Sequence, residues 1–395
     1  MMDKFESKSR ITGIGLSQVG RRLGLNPVGL AIDACLAALG DAGLTRNDID
    51  GLACHMGPVS SDGYSGAGVI DVEEVLRIHP KWFVSGHEMA GHSGPILQAA
   101  LAIAAGLCRH VLIFRSTWES TSQARMREGQ DAAPVAPWVE GDHQWRLPFG
   151  AFSAANWIAL YADRHFHQYG TTREQLGAIA LNARANAALN PYAVYRDPLT
   201  MDDYLSARMI STPLGLYDCD VPCDGAVAMV LSAADAARDT RRPNPIRIEA
   251  VGGQTSERWS WDQGTIDHEP LMKGAASSMW SRTDLKPSDV DMAQLYDGFT
   301  FNCLSWLETL GFCPMGEGGR FVEGGASIAL DGELPLNTHG GQLSAGRLQG
   351  YSFLHEACIQ LWGEAGERQV PRGPQVAVIS TGGGAPGGAM LLTQG

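Results

Sequence analysis

Two segments of the chain carry residue types that can move protons. Residues 292–303 (MAQLYDGFTFNC) end an apolar run with Tyr296 and Asp297. The run predicts a strand, and α/β folds place their chemistry at strand carboxyl ends. A tyrosine there can carry a proton if its surroundings tune its acidity; untuned, it is an amphipathic core residue. Residues 337–351 (NTHGGQLSAGRLQGY) set Asn337, His339, Arg347 and Tyr351 around four glycines. Glycine lets the backbone approach a ligand closely. So many polar groups in a glycine-rich loop, leading into an apolar helix with His355, are hard to explain as packing.

Other patterns fail on spacing. Residues 382–387 (GGGAPG) fit G-x-G-x-x-G, but too little chain follows to complete a βαβ unit. They read better as a strand-to-strand turn whose amides at Gly382, Gly383 and Gly384 face a pocket. In GHSG, Pro95 stands where a nucleophile elbow around Ser93 needs glycine. His87, Glu88 and His92 miss the H-E-x-x-H zinc spacing by one residue, so the imidazoles would diverge on a helix. Cys219 and Cys223 lack a second ligand pair and read as free thiols. No metal is expected.

The elements that must hold these residues repeat. ITGIGLSQVG, an Ala-rich helix and GLTRNDIDGL recur as IRIEAVGG, KGAASSMWSR and DLKPSDVDMAQL. PILQAALAIAAG (95–106) recurs as SFLHEACIQLWG (352–363), each leading into a β-rich run, VLIF and VAVIS. The chain reads as a duplicated α/β unit, 1–242 and 243–395, with a loop-like boundary near 237–245. Strands alternating with helices imply a helix-covered, mixed or parallel sheet. The first half carries an inserted loop domain, about 115–215, with helices near 150–168 and 172–188, read as shaping a substrate pocket.

Composition bounds the rest. With 395 residues, 44% hydrophobic and 18% charged, the chain is a folded protein of two or three domain-sized units. The charged share falls below the usual ~25%, which suggests surface buried between subunits. A net charge of −13 without a Lys/Arg-rich run argues against nucleic acid. The start, MMDKFESKSR, lacks a signal-peptide core, and the most apolar stretch, 97–114, is interrupted by Gln98, Arg109 and His110. No membrane span is expected. Eight scattered cysteines suit a reducing cytoplasm.

The duplication, CDGAVAMVLSAADAARD, NTHGGQLSAG and STGGGAPGGA together resemble the thiolase superfamily, near the sterol-carrier-protein-X thiolases, over almost the whole chain. The resemblance implies a thiolase-like duplicated αβαβα five-layer fold with an inserted loop domain, an obligate dimer and an acyl-CoA substrate. The residues of Claisen chemistry are replaced. Gly91 stands at the nucleophilic cysteine, Arg347 at the loop histidine and Ser380 at the second cysteine. A thioester nucleophile must be a thiolate or its equivalent, so thiolase activity is not expected. YDGF and GGQLS…HEAC instead resemble the steroid side-chain-cleaving aldolases of bacterial steroid degradation, which pair with a DUF35 protein (OB-fold with zinc ribbon, hydratase-associated). That resemblance implies retro-aldol cleavage of a 17-hydroxy steroid side-chain CoA thioester to a 17-ketosteroid and a short acyl-CoA such as propionyl-CoA, needing no cofactor. It implies Tyr296 and Tyr351 as the acid/base pair, His355 and Asp297 as supports or relays, and Asn337, His339 and the Gly382–Gly384 amides as candidates for the oxyanion hole. The alternatives are a non-catalytic acyl-CoA-binding subunit of a DUF35 complex and a degenerate acyltransferase or hydrolase using Ser93 or Ser380.

Overall fold

A computed structural model describes residues 4–55, 63–86, 90–131, 143–255, 269–384 and 386–395. Nine strands form one sheet: β1 (Ser9–Leu16), β2 (Gly51–His55), β3 (Trp82–Gly86), β4 (His110–Trp118), β5 (Asp224–Ala233), β6 (Ile246–Gln254), β7 (Met292–Gln294), β8 (Val376–Thr381) and β9 (Gly387–Thr393). Their order is β3-β2-β4-β5-β1-β6-β9-β8-β7. From the middle outward, one side runs first strand, last, penultimate, second (β1-β5-β4-β2), and so does the other (β6-β9-β8-β7). Directions match too. β5 lies antiparallel to β1 and β4, as β9 does to β6 and β8. β2 runs parallel to β4, as β7 does to β8. Among the described residues, β3 has no counterpart. The two sides join where Arg10 and Ile11 face Arg247 and Ile246.

Helices fill three further layers. α1 (Pro27–Ala42) is capped by Asn26, whose side chain accepts from the Val28 and Gly29 amides, and closed by Gly43 in the left-handed conformation. It packs on β1, β4 and β5, while α7 (Glu269–Trp280) packs on β6 and β9. α2 (Val69–Leu76) lies beside α1, β2 and β3. α3 (Ser93–Ala104) and α9 (Tyr351–Trp362) each contact strands of both sides and fill the middle. The layers are therefore α1, strands, α3 with α9, strands, α7. Side-chain alternation follows the strand period of two. Leu112 and Phe114 of β4 join the core under α1, and Val111 and Ile113 join the central core. The repeat has a packing cause as well. A Cβ at Gly15 would strike the α1 backbone, and one at Gly252 would strike the α7 backbone. The glycines of the two repeated motifs let an outer helix settle onto its first strand.

The excursion between β4 and β5 holds α4 (Glu119–Arg127), α5 (Ala154–Tyr169), α6 (Arg173–Ala188) and a two-stranded ribbon, Met209–Ser211 with Leu214–Gly215. The expected start at 115 falls inside β4; the strand continues to Trp118 because residues 111–117 are all buried in the sheet. Thr172 caps α6 with the reciprocal contact from Gln175. α8 (Thr300–Thr309) follows the YDGF segment and packs against α5, α6 and α7.

Candidate active site

Tyr296 leaves β7 with its amide donating to Ser380 Oγ at 3.0 Å. Its ring folds back over Gly298: a Cβ there would lie 2.7 Å from Tyr296 Cε1 and 3.0 Å from the hydroxyl. The tyrosine could not take this pose over a larger residue. Tyr351 opens α9 behind Gly350, which is left-handed at φ 86°. It is fully buried, and its hydroxyl faces the His55 backbone without a full-geometry hydrogen bond among the described residues. Burial pushes both phenols up, Tyr296 further through Asp220 and Tyr351 further through Cys54.

A residue the sequence reading missed acts on both tyrosines. Arg115, at the end of β4, is buried and donates to His55 through Nη1 and to the Tyr64 carbonyl at 2.8 Å. Burial lowers its pKa; the largest opposing influence is Tyr351, and Tyr296 acts in the same direction. One buried cation thus lies within electrostatic reach of both hydroxyls. Its only sequence signal was a charge inside the apolar run VLIFRST.

Arg347 forms a second buried charge cluster. It binds Glu119 through two nitrogens, with Nε to Oε2 at 2.9 Å, and Asp220 Oδ1 through Nη1 at 2.7 Å. Its guanidinium lies 5.5 Å from the Tyr64 ring centroid. Burial raises the Asp220 carboxyl to about 7 against the pull of Arg347. Glu119 and Asp220 were also missed. Both belong to the excursion and meet Arg347 only in the fold.

The other expected residues divide. Asp297 is buried and accepts the Gln342 amide at 2.8 Å and Asn337 Nδ2 at 3.0 Å. Burial raises its pKa to about 7. It anchors the π-helical turn Gly341–Ala345 and lies under the loop. Asn337 accepts the Leu295 amide at 2.7 Å and donates to the Leu295 carbonyl as well as to Asp297. Its side-chain amide is thus hydrogen-bonded to Leu295 and Asp297. His339 and His355 share a cavity of about 30 Å³ with Ser352, Glu356 and Arg368. Burial lowers His339 to about 3 and His355 to about 4. His355 lies one helical turn after Tyr351 on α9.

The glycine turn is held from one side. Trp306 Nε1 donates to the Gly382 carbonyl at 2.8 Å and Asn302 Nδ2 to the Gly383 carbonyl at 3.3 Å, both from α8. In a trans peptide the N–H opposes the C=O, so the Gly383 and Gly384 amides point away from α8. The excursion holds the other loop. Arg184 donates to Ser344 Oγ at 2.9 Å, Asn190 to the His339 carbonyl at 2.9 Å, and the Tyr195 amide to the Ser344 carbonyl at 3.0 Å.

The remaining candidates are structural. A Cβ at Gly91 would overlap Thr381 Oγ1, and Gly91 sits at φ +42°. Ser93 Oγ donates to the Ala90 carbonyl at 2.7 Å within its own turn. His92 is fully buried, edge-on to Tyr351 at 6.1 Å between centroids, and burial lowers it to about 4. None of the eight cysteines forms a disulfide among the described residues. His87 and Glu88 lie outside the described residues.

Comparison with known proteins decides the family. The chain is 32% identical to a protein of Thermomonospora curvata named "Steroid side-chain-cleaving aldolase", covering 99% of both chains. This chain belongs to the thiolase-like aldolases. It is 33% identical to the "17-hydroxy-3-oxo-4-pregnene-20-carboxyl-CoA lyase" of Mycobacterium tuberculosis over 98% of this chain and 99% of that one. Residues 262–392 match the family described as "Thiolase C-terminal domain-like". The solved "Ltp2-ChsH2(DUF35) aldolase" superposes with a TM-score of 0.86 at 31% identity, covering 98% of each chain. Of the residues that the resemblance sets at the three thiolase positions, Gly91 packs tightly against Thr381, Arg347 is an ion-pair centre and Ser380 anchors the Tyr296 backbone.

Proposed function

We propose that this chain is an acyl-CoA lyase of steroid degradation. Its reaction is the retro-aldol cleavage of a 17-hydroxy steroid side-chain CoA thioester to a 17-ketosteroid and propionyl-CoA or a similar short acyl-CoA. The observation that carries the reading is the pair of buried tyrosines that both act on the buried Arg115 cation, in a chain whose thiolase-like motifs lack the nucleophilic cysteine, the histidine and the second cysteine. The names of the full-length relatives support it.

The chemistry suits the residues. One tyrosine takes the β-hydroxyl proton as the carbon–carbon bond breaks, and the other returns a proton to the enolate carbon. The buried Arg115 cation stabilises whichever oxygen becomes anionic. The Gly383 and Gly384 amides supply donors for the thioester enolate, where one preorganised donor is worth about 3–4 kcal/mol. No electron leaves or enters, so the reaction requires no redox cofactor.

We place the protein in a cytoplasmic complex with a DUF35 partner, as a homodimer within a heterotetramer. The name of the superposing aldolase complex supports the partner. Among the described residues, no helix is long and apolar enough to cross a membrane. The test is chromatography of 17-hydroxy-3-oxo-pregn-4-ene-20-carboxyl-CoA incubated with the chain, with and without a co-expressed DUF35 partner. A 17-ketosteroid with propionyl-CoA is expected. Intact substrate in both mixtures, with the protein folded, overturns the lyase and favours an acyl-CoA-binding subunit.

A further inference from the structure

The geometry points to Asp220 as the proton acceptor behind Tyr296, held in that role by Arg347. This rests on the lyase reading above and extends it by assigning the two tyrosines. The backbone places the groups together. The Asp220 amide donates to the Gly298 carbonyl at 3.1 Å, and Gly298 is the residue over which the Tyr296 ring lies. The next two links brace the same point: Cys219 bridges to Phe299, and the Arg347 amide donates to the Val221 carbonyl at 2.8 Å.

Arg347 treats its two carboxylates unequally. Glu119 is gripped through both oxygens and also accepts from Gln123 at 3.0 Å. Asp220 meets Arg347 through Oδ1 alone. One cation between two buried carboxylates leaves one negative charge in excess, and desolvation makes such a charge costly. The less tightly held carboxylate is the one that takes a proton. Asp220 is also the carboxylate that acts on Tyr296. The charged and titratable groups around it are Arg347, Glu119, Tyr296, Asp297, Cys219 and Cys223, with Tyr64 stacked on Arg347.

The proton steps balance. The substrate O–H bond breaks as its proton passes to Tyr296 oxygen, and the Tyr296 proton passes to the Asp220 carboxylate. The alkoxide electrons form the ketone, and the electrons of the broken carbon–carbon bond form the thioester enolate. Tyr351 then protonates the enolate carbon, and its phenolate lies within reach of the Arg115 cation. The net change moves one proton from oxygen to carbon. After product release, solvent carries the Asp220 proton back to Tyr351.

The test is the kcat–pH profile, from pH 5.5 to 8.5, of the chain with its DUF35 partner. Wild type should lose rate as pH falls below about 7, where Asp220 becomes protonated. Asp220→Asn should lower kcat on the order of 10²-fold and abolish that acidic limb, and Asp220→Glu should restore both. Glu119→Gln and Asp297→Asn, though slower, should keep the limb. An Asp220→Asn profile parallel to wild type overturns the relay and leaves the lyase standing. A limb lost in Asp297→Asn instead assigns it to Asp297 and also overturns it. Should Asp220→Asn fail to fold, a wild-type profile flat through pH 7 overturns the relay without it. Wild type inactive at every pH overturns the lyase and the relay together.

Discussion

At the residue scale, a position is defined by what its neighbours leave it to do. Among the described residues the buried Tyr351 hydroxyl has no full-geometry hydrogen bond, only the His55 backbone acting on it, and a poorly met buried hydroxyl costs about 1–3 kcal/mol. A core tyrosine selected for stability would be a phenylalanine. Tyr351→Phe should therefore keep or raise the melting temperature while kcat for the CoA ester falls about 10²-fold or more. Tyr296→Phe should lower kcat by a similar factor. Thermal denaturation beside the chromatographic assay reads both quantities, and wild-type rates in both variants would sink the acid/base assignment. Gly91 tests the opposite direction. A cysteine there meets Thr381 Oγ1 and holds a left-handed φ, so Gly91→Cys should cost about 1–3 kcal/mol in urea unfolding. It should release no thiolysis product, because Arg347 still stands where thiolase chemistry needs a histidine.

At the element scale, buried titratable groups tie loop geometry to pH. Asp297 and Asp220 sit at about 7 in the folded chain against about 3.9 unfolded. The folded state then binds more protons between these values, so this stability is present at low pH and is lost as pH rises through 7. His92, His339 and His355, lowered to about 4, about 3 and about 4, act oppositely: their contribution is present above about 6.5 and lost below it. Near pH 7 the unfolded histidines are still partly protonated, so the two contributions oppose each other there and a variant must separate them. The melting temperature of Asp297→Asn should therefore rise relative to wild type as pH goes from 5 to 8. Scanning calorimetry at the two ends decides it; equal slopes would remove Asp297 as a titrating anchor. The same loop shows what a sequence can and cannot disclose. Its glycines and polar residues marked it as functional, and the two strand–helix motifs marked the duplication. Arg115 showed only as a charge inside an apolar run, and Glu119 and Asp220 carried no pattern, since each meets its partner across segments distant in sequence. Asn337 and Asp297 were legible as polar loop residues, but their mutual hydrogen bond was not, since it joins positions 40 residues apart.

At the scale of the whole molecule, the sheet order leaves an edge that needs covering. Among the described residues, β3 pairs on one side only, with β2. Phe83 on that strand is 61% exposed, with Trp82 and Val84 half-buried beside it. An open edge carrying an apolar residue is a template for association, and natural proteins protect such edges. No charged residue lies between Trp82 and Gly86 to discourage pairing. The low charged share of the chain points the same way. A second copy meeting edge to edge satisfies the unpaired backbone groups and removes Phe83 from water, at about 25 cal/mol per Å² of apolar area. Phe83→Glu places a charge on that edge and should convert a dimer to a monomer in light scattering after size exclusion. The fold should survive, because the side chain touches solvent in the single chain. Activity per folded chain then separates two architectures. A site complete in one subunit retains its rate, whereas a site supported across the edge loses it, since β3 runs beside β2 and its His55–Arg115 contact. An unchanged dimer would move the subunit contact to another face.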